Sequence, residues 1–234
     1  MTNLSVNVNK IATLRNSRGG NIPNLEEVTQ SIIDFGAHGI TIHPRPDERH
    51  IKFKDVYSLA SIINKQVEFN IEGFPSQKFI NMVLEVRPTQ VTLVPDKENV
   101  LTSLEGWNTI KEKNILENVI QEFKQYKIRT SIFIHPDIAM VEGAQAVNAD
   151  RVELFTGIYA QKNKTINAYI ECSEYANKIG LGVNAGHDLD LNNLSFFKKK
   201  MPFLDEVSIG HALISESLFL GLENTIDMYK RLLV

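Results

Sequence analysis

The sequence predicts a single domain, residues 1–234, folded as a (β/α)8 TIM barrel with extra helices. Three observations predict it. Eight short β-like runs, most of them rich in Val and Ile, recur along the whole chain and alternate with helical segments. Five of the six histidines sit at, or just past, the downstream end of such a run. Neither G-x-G-x-x-G nor G-x-x-x-x-G-K-[ST] occurs, so the rival doubly wound sheet lacks the Gly-rich first turn it often carries.

The first run, Ser5–Val8, leads into residues 9–20, which read as a basic loop bearing Lys10, Arg15 and Arg18 and ending in Gly19-Gly20. Asn24 with Glu27 three positions on forms a capping box. Val28, Ile32 and Phe35 follow at helical spacing, and Gly36 stops that helix. Gly39–His43 is the second strand, with a helix over Asp55–Ile63. Glu68–Glu72 is the third, with a helix over Ser76–Val86 that Pro88 terminates. Gln90–Val94 is the fourth. The connection from Pro95 to Ile115 is longer than the others and has room for an extra helix or lid around Trp107. A helix over Ile115–Tyr126, a strand at Arg129–Ile134, a helix over Ile138–Val147 and a strand at Arg151–Phe155 continue the alternation. Helix Ile166–Ile179, strand Gly180–Asn184, helix Leu191–Met201 and strand Glu206–Gly210 complete it. The tail, Leu213–Leu233, reads as helix broken near Gly221. Strands this apolar are expected to be buried on both faces.

Composition narrows the function. A hydrophobic content of 43% and a charged content of 23% are ordinary for a globular protein long enough to bury a sizeable core. A formal charge of −3 gives no reason to expect nucleic acid or an anionic membrane as a partner. The only cysteine, Cys172, cannot form an internal disulfide, which favours a reducing compartment. The start, MTNLSVNVNK, lacks a signal peptide's apolar stretch, and no window has the apolar length of a membrane span. A cytoplasmic protein is expected.

Active sites of this fold lie at the C-terminal ends of the strands. The polar residues there are Asn7, Asn9 and Lys10, then His43, Arg45 and His50, then Glu72, then Thr102 in the long connection. Glu153 lies within the sixth strand with Thr156 just after it, His187 follows the seventh, and Gly210-His211 ends the eighth. Charged groups at the ends of apolar strands are costly to bury without partners, so packing alone does not explain their recurrence. Imidazoles titrate near neutral pH and suit proton transfer. A carboxyl such as Glu72, if desolvated, has a raised pKa and suits general acid–base work; its plainer reading is a buried salt bridge. Arginines of the 9–20 segment can clamp phosphate oxygens, though a solvated basic loop is equally compatible with it. Gly186 and Gly210 permit backbone N–H groups to approach an anion after the seventh and eighth strands, where this fold often binds phosphate. Asp47, Glu48 and Arg49 read as a charge run, with Glu48 solvated. His135 reads as flanking a helix, His38 as structural at the opposite end of the barrel, and Cys172 as a packed small hydrophobe.

Several stretches together carry a family resemblance. They are Ile11–Asn16 with Arg18-Gly19, Gly39–His43 with Arg45, Asp47 and Arg49–Ile51, Asn70–Glu72, and Leu93–Pro95. Thr156-Gly157 with Tyr159-Ala160, Val183–His187 and Ile209–Ala212 complete the set. Over essentially Val6 to Leu232 the chain resembles the pyridoxine 5′-phosphate synthase family of vitamin B6 biosynthesis. The resemblance implies a transferase-type, ring-closing condensation of 3-amino-2-oxopropyl phosphate with 1-deoxy-D-xylulose 5-phosphate. Pyridoxine 5′-phosphate, inorganic phosphate and water are the products, with no metal or organic cofactor. It implies His43 and Glu72 as general bases and His187 as general acid. Asn7, Arg18, Asp188 and Gly210-His211 would contact the amino-ketone phosphate, and Asn9, Lys10, Arg45, His50 and Thr102 the deoxyxylulose phosphate. It also implies a homo-octamer.

Two departures stand out. Asn9-Lys10 replaces the family's usual Asp-His, so position 9 loses a carboxylate and position 10 gains a fixed positive charge. Asp188 stands where glycine commonly follows the histidine. Three other functions compete: a metal-dependent hydrolase with His43, Glu72, His187 and His211 as ligands, a Schiff-base aldolase using Lys10, and a barrel that binds both phosphates without catalysis.

Overall fold

The computed structural model describes residues 1–96, 105–162 and 166–234. The chain runs β1 (Asn3–Asn7), α1 (Asn9–Asn16), α2 (Leu25–Asp34), β2 (Gly39–Ile42), α3 (Phe53–Ile63), β3 (Glu68–Gly73), α4 (Gln77–Val86) and β4 (Gln90–Leu93). It continues α5 (Lys113–Gln125), β5 (Arg129–Ile134), α6 (Ile138–Ala146), β6 (Arg151–Phe155), α7 (Gly157–Lys162), α8 (Ile166–Lys178) and β7 (Gly182–Gly186). The last elements are α9 (Leu194–Lys200), β8 (Glu206–Ile209), α10 (His211–Leu220) and α11 (Leu222–Leu232). The eight strands pair in sequence order, all parallel, and β8 closes on β1. The barrel expected from the sequence is therefore the barrel formed.

The strands alternate with a period of two. Residues such as Val6, Ile40, Ile71, Val91, Ile132, Val152, Val183 and Val207 are buried in the main apolar core, to which the helices also contribute. The alternate positions turn into the barrel, so both faces are buried as expected, and the inner face is polar. Ser5 and Thr41 hydroxyls lie 2.7 Å apart. Asn70 donates to Thr41 at 3.3 Å, and Thr92 donates to the Asn70 amide oxygen at 3.0 Å. Arg129 pairs with Glu68 and donates to Gln90, while Arg151 donates to Asn184 at 2.9 Å. Such groups tolerate burial only because neighbouring strands supply partners.

Three local readings change. Residues 9–16, read as loop, form α1, whose buried residues Ile11, Ala12 and Arg15 share one face at helical spacing. Arg15, a candidate phosphate clamp, is instead buried and paired with Asp55 at 2.7 Å. Strand β7 starts two residues later than expected because Gly180 has φ +83° and belongs to the turn after α8. That shift makes Gly186 the last strand residue and aims His187 from the strand's end. The tail is two helices broken at Gly221, as the sequence indicates.

Candidate active site

The C-terminal ends of the strands surround a cavity of about 670 Å³. Of the residues singled out in the sequence, Asn7, Asn9, Lys10, His43, Arg45, His50, Glu72, His187, Asp188, Gly210 and His211 line it. Arg18 is exposed in the turn after α1, outside the cavity walls. Thr102 lies outside the described residues. His135 also stays outside the walls, with Nε2 3.3 Å from Glu105, and His38 accepts the Leu4 N–H at 3.1 Å.

His43 and Glu72 meet at the ends of β2 and β3, with His43 Nδ1 3.8 Å from Glu72 Oε2. Burial holds the His43 imidazole well below its ordinary pKa, helped by the Arg45 guanidinium. Burial likewise pushes Glu72 well above the carboxylate range, and Glu153 and Asp96 add repulsion that outweighs the attraction of Arg45. The two shifts run in opposite senses from one cause, since burial favours the uncharged form of both the imidazole and the carboxyl. Asn9, the first residue of α1, accepts the His43 backbone N–H at 2.9 Å through its amide oxygen. An amide oxygen does here what a carboxylate oxygen would, without placing a negative charge beside the imidazole.

A cationic side of the mouth is built from Lys10, Arg45, Arg49 and His50. Arg45 is buried and fixed by Asp96 at 2.5 Å, and Asp47 holds Arg49 at 2.6 Å. Burial and the nearby cations Arg45 and Lys10 bring His50 down to about 4, so at physiological pH it is neutral and offers hydrogen bonds rather than a charge. On the other side, Gly210 and the first turn of α10 face the cavity, and no side chain caps that helix. Its first N–H groups offer an anion cradle. A Cβ at Gly210 would come within 2.9 Å of Asn7 Cβ, so glycine is what lets β1 and the start of α10 approach so closely.

Glu153 was named among the polar residues of the strand ends without a role, and Asp96 was not named. The signal for Glu153 was a carboxylate flanked by Val152 and Leu154 in an apolar strand, an inward position once the period of two is applied. It lines the cavity, accepts a long 3.4 Å hydrogen bond from Thr92, and is pushed by burial up to about 7, against the opposing pull of Thr92 and His187. Asp96 was detectable as an acid just after an apolar strand, but its partner Arg45 is distant in sequence.

Two outcomes follow from Glu153. A Cβ at Gly186 would sit against the Glu153 carboxylate, so Gly186→Ala should displace it and lower kcat on the order of a hundredfold, as misplaced catalytic groups do. Steady-state kinetics on the folded variant checks this. The second concerns pH. The unfolded chain ionises this carboxyl near 4.5 while the folded chain retains the proton up to about 7. Stability from Glu153 is therefore full below its unfolded pKa and lost as pH rises through the folded one. Glu153→Gln removes that loss, so urea unfolding should show the variant gaining on the parent between about pH 5 and about pH 8.

A parallel eight-stranded barrel whose C-terminal mouth joins tuned acid–base groups to cationic loops defines a barrel enzyme of proton-transfer chemistry. The family model for pyridoxal phosphate biosynthesis protein PdxJ matches residues 4–234, and the chain belongs to that family. A pyridoxine 5′-phosphate synthase of Christiangramia forsetii is 56% identical, with 100% of each chain covered. That of Porphyromonas gingivalis is 50% identical over 98% of each chain. Among solved structures, phosphoribosyl anthranilate isomerase of Thermotoga maritima superposes with a TM-score of 0.63 at 13% identity, covering 100% of this chain and 98% of that one. At that identity the likeness concerns the fold alone.

Proposed function

We propose that the protein condenses 3-amino-2-oxopropyl phosphate with 1-deoxy-D-xylulose 5-phosphate to give pyridoxine 5′-phosphate, inorganic phosphate and water. The observation that carries this is the buried pair His43 and Glu72, 3.8 Å apart in a cavity with cationic and helix-terminal anion sites, where burial favours the uncharged form of both. Imine formation, dehydration, phosphate loss and aldol-type closure all move protons near neutral pH. His43 is a base already in its accepting form. The cationic nitrogen of the amino ketone would favour ionised Glu72 when it enters, which suits it to act as a second base. His187 is the proton donor. One phosphate fits Gly210-His211 with Asn7, and the other fits Lys10, Arg45 and His50. The contributions of Arg18 and Thr102 rest on the family resemblance.

The competing functions find less support. Among the described residues no three His, Cys, Asp or Glu side chains converge as a metal-ligand set, which the hydrolase requires. A Schiff-base lysine is activated by desolvation, whereas Lys10 is exposed. Among the described residues no helix is long and apolar enough to cross a membrane. Together with the lone cysteine this supports a cytoplasmic enzyme acting on two small phosphorylated substrates. Leu218 and Phe219, 76% and 89% exposed at the end of α10, offer an apolar surface that another copy could cover, while the number eight rests on the family resemblance. Incubating the purified protein with both substrates and following pyridoxine 5′-phosphate by mass and fluorescence tests the activity. Substrate binding without product would instead favour the non-catalytic barrel.

A further inference from the structure

His187 and Asp188 leave β7 with φ of +89° and +58°. Two successive non-glycine residues enter this left-handed region only when their surroundings hold them there, and such positions concentrate at functional sites. Here the hold is visible. The Thr156 hydroxyl lies 2.6 Å from the Gly186 carbonyl and 2.5 Å from that of His187, so it can donate to either. Asn193 donates to the Asp188 carbonyl at 3.0 Å. Phe155 packs edge-on to the imidazole, with ring centroids 5.0 Å apart.

The turn brings the Asp188 carboxylate to 3.0 Å from His187 Nδ1. The imidazole beside it holds the Asp188 carboxyl below the usual carboxylate range, so it is an anion at neutral pH. With His187 as the proton donor of the reaction proposed above, we propose that Asp188 is its positioning residue. Its carboxylate keeps a proton on Nδ1 and makes Nε2 the nitrogen that exchanges a proton with substrate. Which ring nitrogen is protonated is set by the partner of the other, and an acid that fixes this orients the ring as well. In the donating step the Nε2–H bond breaks and an O–H bond forms on the departing oxygen, which keeps the electron pair of its C–O bond. The ring passes from imidazolium to neutral imidazole, its remaining proton on Nδ1 facing Asp188. The pairing also accounts for a carboxylate beside a phosphate site: its charge is engaged by the imidazole.

The test uses Asp188→Gly and Asp188→Asn, both of which tolerate positive φ and so preserve the turn. Each should lower kcat about ten- to a hundredfold, with KM for both substrates within about twofold of the parent. Added formate should restore part of the D188G rate. Imidazole ¹⁵N spectra should show the Nδ1–H tautomer of His187 in the parent and its loss in D188G. Parental kcat in D188G, or raised KM at unchanged kcat, would overturn the proposal, the latter by making Asp188 a substrate contact. His187→Gln separates the two levels. If that variant stays active, the donor assignment fails whatever Asp188 does; if it is inactive while D188G is parental, only the positioning role fails.

Discussion

Glu72→Gln is expected to lower kcat by roughly 10²–10⁴-fold, the range a positioned acid–base group supplies. The amide keeps the shape of the side chain and its place beside His43 but cannot accept or release the proton. The same substitution should leave the urea midpoint unchanged or raise it. Glu72 lies among Glu153, Asp96 and Glu206, and burial together with their repulsion already pushes its carboxyl well above the usual range. Removing an ionisable group from that set relieves repulsion, so lost activity with retained or increased stability separates catalysis from folding. Steady-state kinetics and urea titration of one preparation give both numbers. A variant with parental kcat would remove Glu72 from the chemistry.

The largest expected stability effect lies outside the reacting groups. Arg15 Nη1 and Nη2 meet Asp55 Oδ1 and Oδ2 at 2.9 and 2.7 Å, with both side chains 7% exposed. Asp55 also accepts the Lys52 N–H at 2.8 Å, which caps α3. Asn16 joins the network, accepting from Arg15 and donating to the His50 carbonyl at 2.7 Å. The cluster thus ties α1, which carries Asn9 and Lys10, to the loop that carries His50. Removing one partner leaves a buried charge uncompensated, so Arg15→Ala or Asp55→Ala should cost about 3–5 kcal/mol by urea unfolding. Replacing both with apolar residues of similar volume, as in R15M with D55L, should recover most of that loss. If each single variant unfolded like the parent, the pair would not be what holds α1 in place.

Much of the barrel was legible because strand runs and capping signals are local. Short β-like runs, most of them rich in Val and Ile, marked every strand, and Asn24, Gly36, Pro88 and Gly221 marked turns or helix ends where they occur. Helix α1 was hidden because Lys10 and Arg15 made residues 9–20 look solvated, while the buried partner of Arg15 lies 40 positions downstream. The strands are buried on both faces as expected, but the polar character of the inner face was not read from the sequence. Ser5, Thr41, Asn70 and Thr92 are inward residues whose partners are on neighbouring strands, a relation fixed by register rather than by any local spacing. The histidines illustrate both sides. Their place at strand ends pointed to the mouth, and His135 was already set apart as flanking a helix; the fold adds the partners, Glu72 for His43 and Glu105 for His135. Glu153 and Asp96 acquire roles only through the groups that closure of the barrel brings near them.

The most direct test is the stoichiometry of a single preparation given both phosphorylated substrates. Two phosphates enter and the proposed product retains one, so inorganic phosphate should appear in step with pyridoxine 5′-phosphate, one for one, and both should vanish together in Glu72→Gln. Phosphate release without pyridoxine 5′-phosphate, or neither product from well-folded parent protein, would contradict the assignment.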